Sequence, residues 1–232
     1  MSQIQYYNSG SFNLKELFNV ILYKIRFSLD NPEFFSPCGI WLFSGKQGKG
    51  KTLSMMNALV NICRQYPKAI VCTDMDIKLE VFGLNNTVIP YTDYSQIETL
   101  KNGIYGVIFV WDEIQVIYNC MESRGLPTSE LACFCQNRKD RRLVLATSQK
   151  SNRPAKEIRE QCSYLIKCDN FFEILQKNTI IEPDDDNEID KSGKIQGEVI
   201  AKCYFFHTLS LYNCYNTYNK IEKPRRLFRK EY

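Results

Sequence analysis

The segment Gly45-Lys46-Gln47-Gly48-Lys49-Gly50-Lys51-Thr52 satisfies the pattern G-x-x-x-x-G-K-T, and it constrains this chain more than any other feature. It follows a short apolar run, Gly39-Ile40-Trp41-Leu42-Phe43-Ser44, fit for a buried strand. It precedes Leu53 to Tyr66, which reads as a helix. Strand, loop and helix in that order give the pattern its meaning. Glycines let the backbone curl so that successive N–H groups converge on a phosphate, and the first helical turn adds the positive end of its dipole. Gly45, Lys46, Gln47, Gly48, Lys49, Gly50, Lys51, Thr52 and Leu53 are therefore candidate nucleotide-binding residues. Lys51 is placed to reach the β and γ phosphates of ATP, and the Thr52 hydroxyl to ligate Mg²⁺. With average residue usage, four such fixed positions coincide by chance in roughly 1 chain of this length in 100.

A second segment supplies what the loop lacks. Val107-Ile108-Phe109-Val110-Trp111 is apolar at every position, as suits a central parallel strand buried on both faces, and it ends in Asp112-Glu113. The C-terminal ends of such strands are where an open α/β sheet presents ligands. Asp112 can hold Mg²⁺, and Glu113 can orient and deprotonate an attacking water. Two solvated acids at a strand end are common, but downstream of this loop they favour ATP hydrolysis. Gln149, at the end of the strand-like run Leu143 to Gln149, is a third candidate that can sense the γ-phosphate or help place the water. On position alone, an ordinary polar strand end explains Gln149 equally well.

With 232 residues, 44% of them hydrophobic, the chain can bury one α/β core and little more. Its ten cysteines are scattered, several of them inside apolar runs, and no C-x-x-C occurs. His207 is the only histidine, which argues against zinc and for reduced thiols in a cytoplasmic setting. Met1 to Gly10 is polar and uncharged, unlike a signal peptide, and no stretch approaches a membrane span. Asn13 to Phe27 carries an apolar stripe at helical spacing, with Asn13 and Glu16 as a capping box. Such a stripe suits a membrane surface, a partner subunit or, most simply, its own domain.

The remaining runs alternate strand and helix. Strands are expected at 69–74, 87–90 (an edge, because of Pro90), 143–149 and 164–168, with helices at 95–101, 129–140 and 154–161. The pattern implies an α/β fold of the P-loop NTPase type, with a mainly parallel central sheet sandwiched by helices. Two further strand-like runs, 171–181 and 198–206, flank an acidic loop, 182–194. That loop lacks the glycine and terminal glutamate of a calcium site and reads as a hairpin tip. The expected organisation is a helical extension over 1–36, an ATPase domain over 37–220 and a basic tail over 221–232.

The order of phosphate loop, apolar strand with Asp112-Glu113, basic segment Asn137-Arg138-Lys139 and Leu145-Ala146-Thr147-Ser148-Gln149 resembles the zonular occludens toxin-like assembly ATPases of filamentous phages, relatives of the FtsK/HerA motors. Ile158-Arg159 and the segment Leu211 to Tyr218 resemble weaker patterns near the end of that domain, so the resemblance spans roughly residues 39 to 220. It implies an ATP-driven motor of phage morphogenesis that extrudes virions or moves DNA. It further implies self-association in a ring, expected as a hexamer, with DNA or phage coat and assembly proteins as partners. The expected location is the host cytoplasm, with peripheral contact at the inner face of the membrane. Filamentous-phage assembly ATPases are membrane-anchored beyond this domain, whereas this chain shows no such span. A soluble genome-packaging ATPase and a truncated chain are the related readings.

Motors of this type place an arginine across a subunit interface. The candidates here are Arg138, Arg141 and Arg142, with Arg159 outside the group, and Arg138 leads because it lies in the family-like segment. Net charge is +4, modest for a nucleic-acid binder, although basic residues cluster at 138–142 and 223–230. Two alternatives stay open: a small-molecule P-loop kinase, against which the Asp112-Glu113 pair argues, and a nucleotide-binding scaffold that does not hydrolyse.

Overall fold

In a computed structural model of the chain, residues 13–118, 128–184 and 197–216 are described. The chain divides into two compact units, 1–34 and 35–232.

The first unit carries α1 (Leu14–Asp30). The Asn13 side chain accepts from Lys15 N at 3.1 Å, so the expected cap forms, and Asn31 closes the other end through its N–H to Phe27 O at 3.0 Å. No residue of α1 is buried, and Leu14 and Phe18 are 70% and 61% exposed.

The second unit is built on an eight-stranded sheet of order β3-β2-β4-β5-β1-β6-β7-β8. Its strands are β1 (Gly39–Ser44), β2 (Ile70–Thr73), β3 (Val88–Pro90), β4 (Val107–Trp111), β5 (Arg142–Ser148), β6 (Cys162–Phe171), β7 (Leu175–Pro183) and β8 (Gly197–Phe206). From β3 to β6 every pairing is parallel, and β6-β7 and β7-β8 are antiparallel. Pro90 sits on the edge strand, where a missing N–H costs no ladder bond.

Central strands send alternate side chains into two cores. Phe43, Ile108, Val110, Leu143 and Leu145 share one core with α2 (Lys51–Gln65) and α7 (Leu209–Asn213). Leu42, Phe109, Trp111, Val144 and Ala146 share the other with α3 (Gln96–Thr99), α4 (Ile114–Ile117), α5 (Thr128–Cys135) and α6 (Lys156–Glu160). Burial on both faces is why β4 and β5 read as unbroken apolar runs.

The expected helix over 129–140 ends at Cys135, and its last residues form turns that lead into β5. The expected strand over 171–181 is interrupted. β6 runs on to Phe171, and the chain reverses at Phe172 and Glu173, both left-handed with φ 54° and 56°. The acidic hairpin tip beyond residue 184 and the basic tail lie outside the described residues.

Candidate nucleotide-binding site

Strand β1 delivers the chain to the C-terminal edge of the sheet, where the glycine loop departs. Gly45 N donates to Ser148 O at 3.4 Å, so the loop stays tied to β5 as it leaves. Gly48 and Gly50 take left-handed backbone, φ 78° and 72°, and Gly50 is the N-cap of α2. Gly50 is required twice over, because a β-carbon there would meet the Gln176 side chain at 2.2 Å.

Register brings three strand ends level. Trp111 lies opposite Ala146 on β5, and Phe43 on β1 lies opposite Thr147. The Asp112 carboxylate is thus within reach of the first turn of α2. Thr52 Oγ1 donates to Asp112 Oδ1 at 3.1 Å, and Thr147 Oγ1 donates to the same oxygen at 2.6 Å. Glu113 N donates to Thr147 Oγ1 at 2.8 Å, so one hydroxyl positions both acids. Glu113 itself is left-handed, φ 53° and ψ 58°, a conformation that costs a non-glycine residue about 1–2 kcal/mol. Its carboxylate lies 3.6 Å from Lys51 Nζ and accepts from Gln115 Nε2. Lys51 is only 8% exposed, so in this state the glutamate compensates its charge.

On the far side of the acid strand, β2 ends beside β4 and contributes Asp74. Its Oδ1 accepts from Asp112 N at 3.1 Å, while its Oδ2 is shielded and has no hydrogen-bond partner among the described residues. Burial, aided by the nearby Asp112 charge, raises the Asp74 carboxyl to about 7.

The antiparallel half of the sheet braces the loop from the other side. Asn170 Nδ2 donates to Gly48 O at 2.6 Å, Gln176 Nε2 donates to Lys49 O at 3.0 Å, and Lys49 pairs with Asp169 at 3.1 Å. Ser54 Oγ donates to Asn178 Oδ1 at 2.8 Å beneath it. The result is a cavity of about 380 Å³ that Lys51, Thr52, Asp112 and Glu113 help to line. Among the described residues no three His, Cys, Asp or Glu side chains converge on a metal position. Thr52 and Asp112 would supply only part of a Mg²⁺ shell, which phosphate oxygens and water would have to complete.

Other expected site residues fall elsewhere. Gln149 is not among the cavity-lining residues, and its Oε1 accepts from Arg153 Nη1 at 2.8 Å. Thr147, two residues earlier, holds the acids instead. Arg138, Arg141 and Arg142 lie by the N-terminal end of β5, opposite the loop. Arg142 is 1% exposed and is spent internally, on Cys133 O at 3.0 Å and the Asp140 carboxylate at 3.4 Å, which removes it as a residue offered to a neighbour. Arg141 Nη1 donates to Gly103 O at 3.3 Å, Arg138 is exposed, and Arg159 on α6 is half-buried. Asp74, Gln176, His207 and Tyr212 were not legible as site residues. Only the strand order and the chain's return across α2 bring them to the loop.

A P-loop, a buried strand ending in Asp-Glu and a third strand between them compose one architecture. The fold is that of a P-loop NTPase. One solved structure agrees: the N-terminal domain of zonular occludens toxin from Neisseria meningitidis matches with a TM-score of 0.52 at 14% identity, covering 76% of this chain and 98% of that one. The genome packaging NTPase of Sulfolobus turreted icosahedral virus 2, solved with ATP-gammaS, matches with a TM-score of 0.46 at 13% identity, over 59% of this chain and 76% of that one. In sequence, no known protein family matches, and neither does any curated protein. Among the described residues no helix is long and apolar enough to cross a membrane.

Proposed function

We propose that this P-loop NTPase hydrolyses ATP as a motor of phage morphogenesis, driving virion extrusion or DNA translocation. The observation that carries the reading is the Thr52–Asp112–Thr147–Glu113 network set beside a buried Lys51. The phage assignment rests on the sequence motifs, and the fold shared with the zonular occludens toxin domain supports it. A small-molecule kinase needs no second acid in the phosphate cavity, whereas here Glu113 is fixed there at a cost in backbone strain.

Each residue has a distinct task. Loop N–H groups and Lys51 receive the phosphates. Thr52 and Asp112 would hold Mg²⁺, which when bound neutralises charge on the β and γ phosphates. An incoming phosphate competes for Lys51 and frees the Glu113 carboxylate to take a proton from water. The charge that develops in the reaction calls for a further cation, and Arg138 of a neighbouring copy in a ring is the candidate.

The test is Glu113→Gln, which keeps shape and reach but cannot accept a proton. ATP binding should persist while turnover falls at least about 100-fold. Asp112→Asn should instead weaken Mg²⁺-dependent binding. Normal turnover by the glutamine variant would refute the assignment of Glu113. Rates measured with single- and double-stranded DNA test whether DNA is the moving partner.

A further inference from the structure

The loop and the acids account for only part of the cavity lining. The rest comes from the end of β6 and from chain that follows β6 and β8, including Asn170, Glu173, His207, Tyr212 and Tyr215. After β8 the chain does not leave the domain but crosses α2. Leu211 and Cys214 are buried in the same core as α2, Lys78 N donates to Cys214 O at 2.8 Å, and Tyr215 bridges to Ile77 beyond β2. This strap is anchored at both ends.

Its aromatic groups are locked by a continuous chain of polar contacts that starts at the phosphate loop. Gln176, fully buried, donates to Lys49 O, which leaves its Oε1 to accept from His207 Nε2 at 3.2 Å. His207 Nδ1 meets Tyr212 Oη at 2.5 Å, and Tyr212 Oη also lies 3.2 Å from Glu173 O. The two rings meet edge to face, 5.7 Å apart at 76°. The Tyr212 hydroxyl is therefore consumed within the protein, while the residue as a whole remains 46% exposed. A fixed ring with a satisfied hydroxyl and an open surface is built to be covered by something flat and apolar.

From this geometry we infer that His207 and Tyr212 form the seat of the nucleobase, the inference resting on the phosphate-loop reading above. The Gln176 link sets the spacing between this seat and the phosphate loop. A further phosphate is disfavoured there because Glu173, an acidic residue, is among those that line the same cavity. Burial also lowers the His207 imidazole below its ordinary value, which leaves a neutral ring at pH 7 that does not compete with Lys51 for phosphate.

The experiment compares two probes on one protein, by calorimetry in the presence of Mg²⁺: ATP, and inorganic tripolyphosphate, which has the same charge-bearing chain and no base. Tyr212→Ala should weaken ATP binding about 5-fold or more, since stacking a base on an aromatic ring contributes about 1–3 kcal/mol. Its tripolyphosphate binding should stay within about 2-fold of wild type, which also shows that the loop is intact. Tyr212→Phe, which keeps the ring, should bind ATP within about 3-fold of wild type. Equal weakening of both probes in Tyr212→Ala, or no weakening of either, would overturn the base seat. Wild-type protein that binds tripolyphosphate as tightly as ATP would also overturn it while leaving the phosphate loop standing. Binding of neither probe by wild type would instead remove the phosphate-loop reading on which the inference rests.

Discussion

Replacing Asp74 by asparagine should stabilise the nucleotide-free protein, and only at the alkaline end of its range. Asp74 Oδ1 accepts from Asp112 N, a bond that an asparagine oxygen can keep, whereas its shielded Oδ2 has no partner among the described residues to compensate a negative charge. Burial and the Asp112 charge place its carboxyl near 7, about 3 units above an unfolded aspartate. Between about pH 4 and pH 7 the folded chain thus holds a proton that the unfolded chain has already lost. Stability falls as pH rises through that window and is flat above it. Three units correspond to at most about 4 kcal/mol. Urea unfolding at pH 4, 5, 6, 7 and 8, in EDTA and without nucleotide, measures this directly. The variant and wild type should differ least near pH 4 and diverge toward pH 8 in favour of asparagine. Because the comparison is between two chains that differ at one group, other titrations cancel to first order. Parallel pH dependence of the two proteins, whatever their offset, would refute the argument that this carboxylate is buried at a cost.

Two further outcomes follow from the site. Gly50→Ala forces left-handed backbone on a residue with a β-carbon and drives that carbon into Gln176, so it should destabilise by at least about 1 kcal/mol and abolish ATP binding; a variant with normal melting and affinity contradicts the loop geometry. Lys51→Ala and Arg138→Ala subunits, each inactive alone, should regain part of their ATPase activity when mixed, because one supplies the loop and the other the arginine; absence of rescue at every ratio removes Arg138 as the residue acting in trans.

Local signals were legible where one element alone determines the outcome. β1 and β4 occupy the residues their apolar runs indicate, and the Pro90 run is an edge strand, because burial and hydrogen bonding there follow from the run itself. What stayed hidden depends on pairing between distant segments. Asp74 reads as one more polar residue at a strand end until β2 is placed against β4. Arg142 reads as a surface cation, yet it opens β5 beneath the second core, with its guanidinium 5.9 Å from the Phe109 ring. The reversal at Phe172-Glu173 carries no glycine or asparagine, the residues that make left-handed turns readable. α4 was missed because Glu113 breaks the backbone just before it, a strain whose reason lies in the site rather than in propensity.

The antiparallel strands β6 to β8 explain how so glycine-rich a loop can be preorganised. Glycine lowers the strain of the curled conformation but raises the entropy lost in holding it. Something outside the loop must therefore supply contacts. Ser148 O takes the loop's first N–H from one side, and from the other Asn170 and Gln176 donate to Gly48 O and Lys49 O. Each carbonyl shares a rigid trans peptide plane with the N–H of the next residue, so fixing Lys49 O fixes the direction of the Gly50 N–H, while Lys49 N donates to Lys46 O at 3.2 Å within the loop. The braces lie more than 120 positions away in sequence from the atoms they hold, which is why a motif search finds the loop and misses them. Gln176 takes part in both tasks, bracing Lys49 with its amide and carrying His207 with its oxygen. A disturbance of the strap can therefore reach the phosphate loop through one buried side chain, without passing through the acids that perform the chemistry.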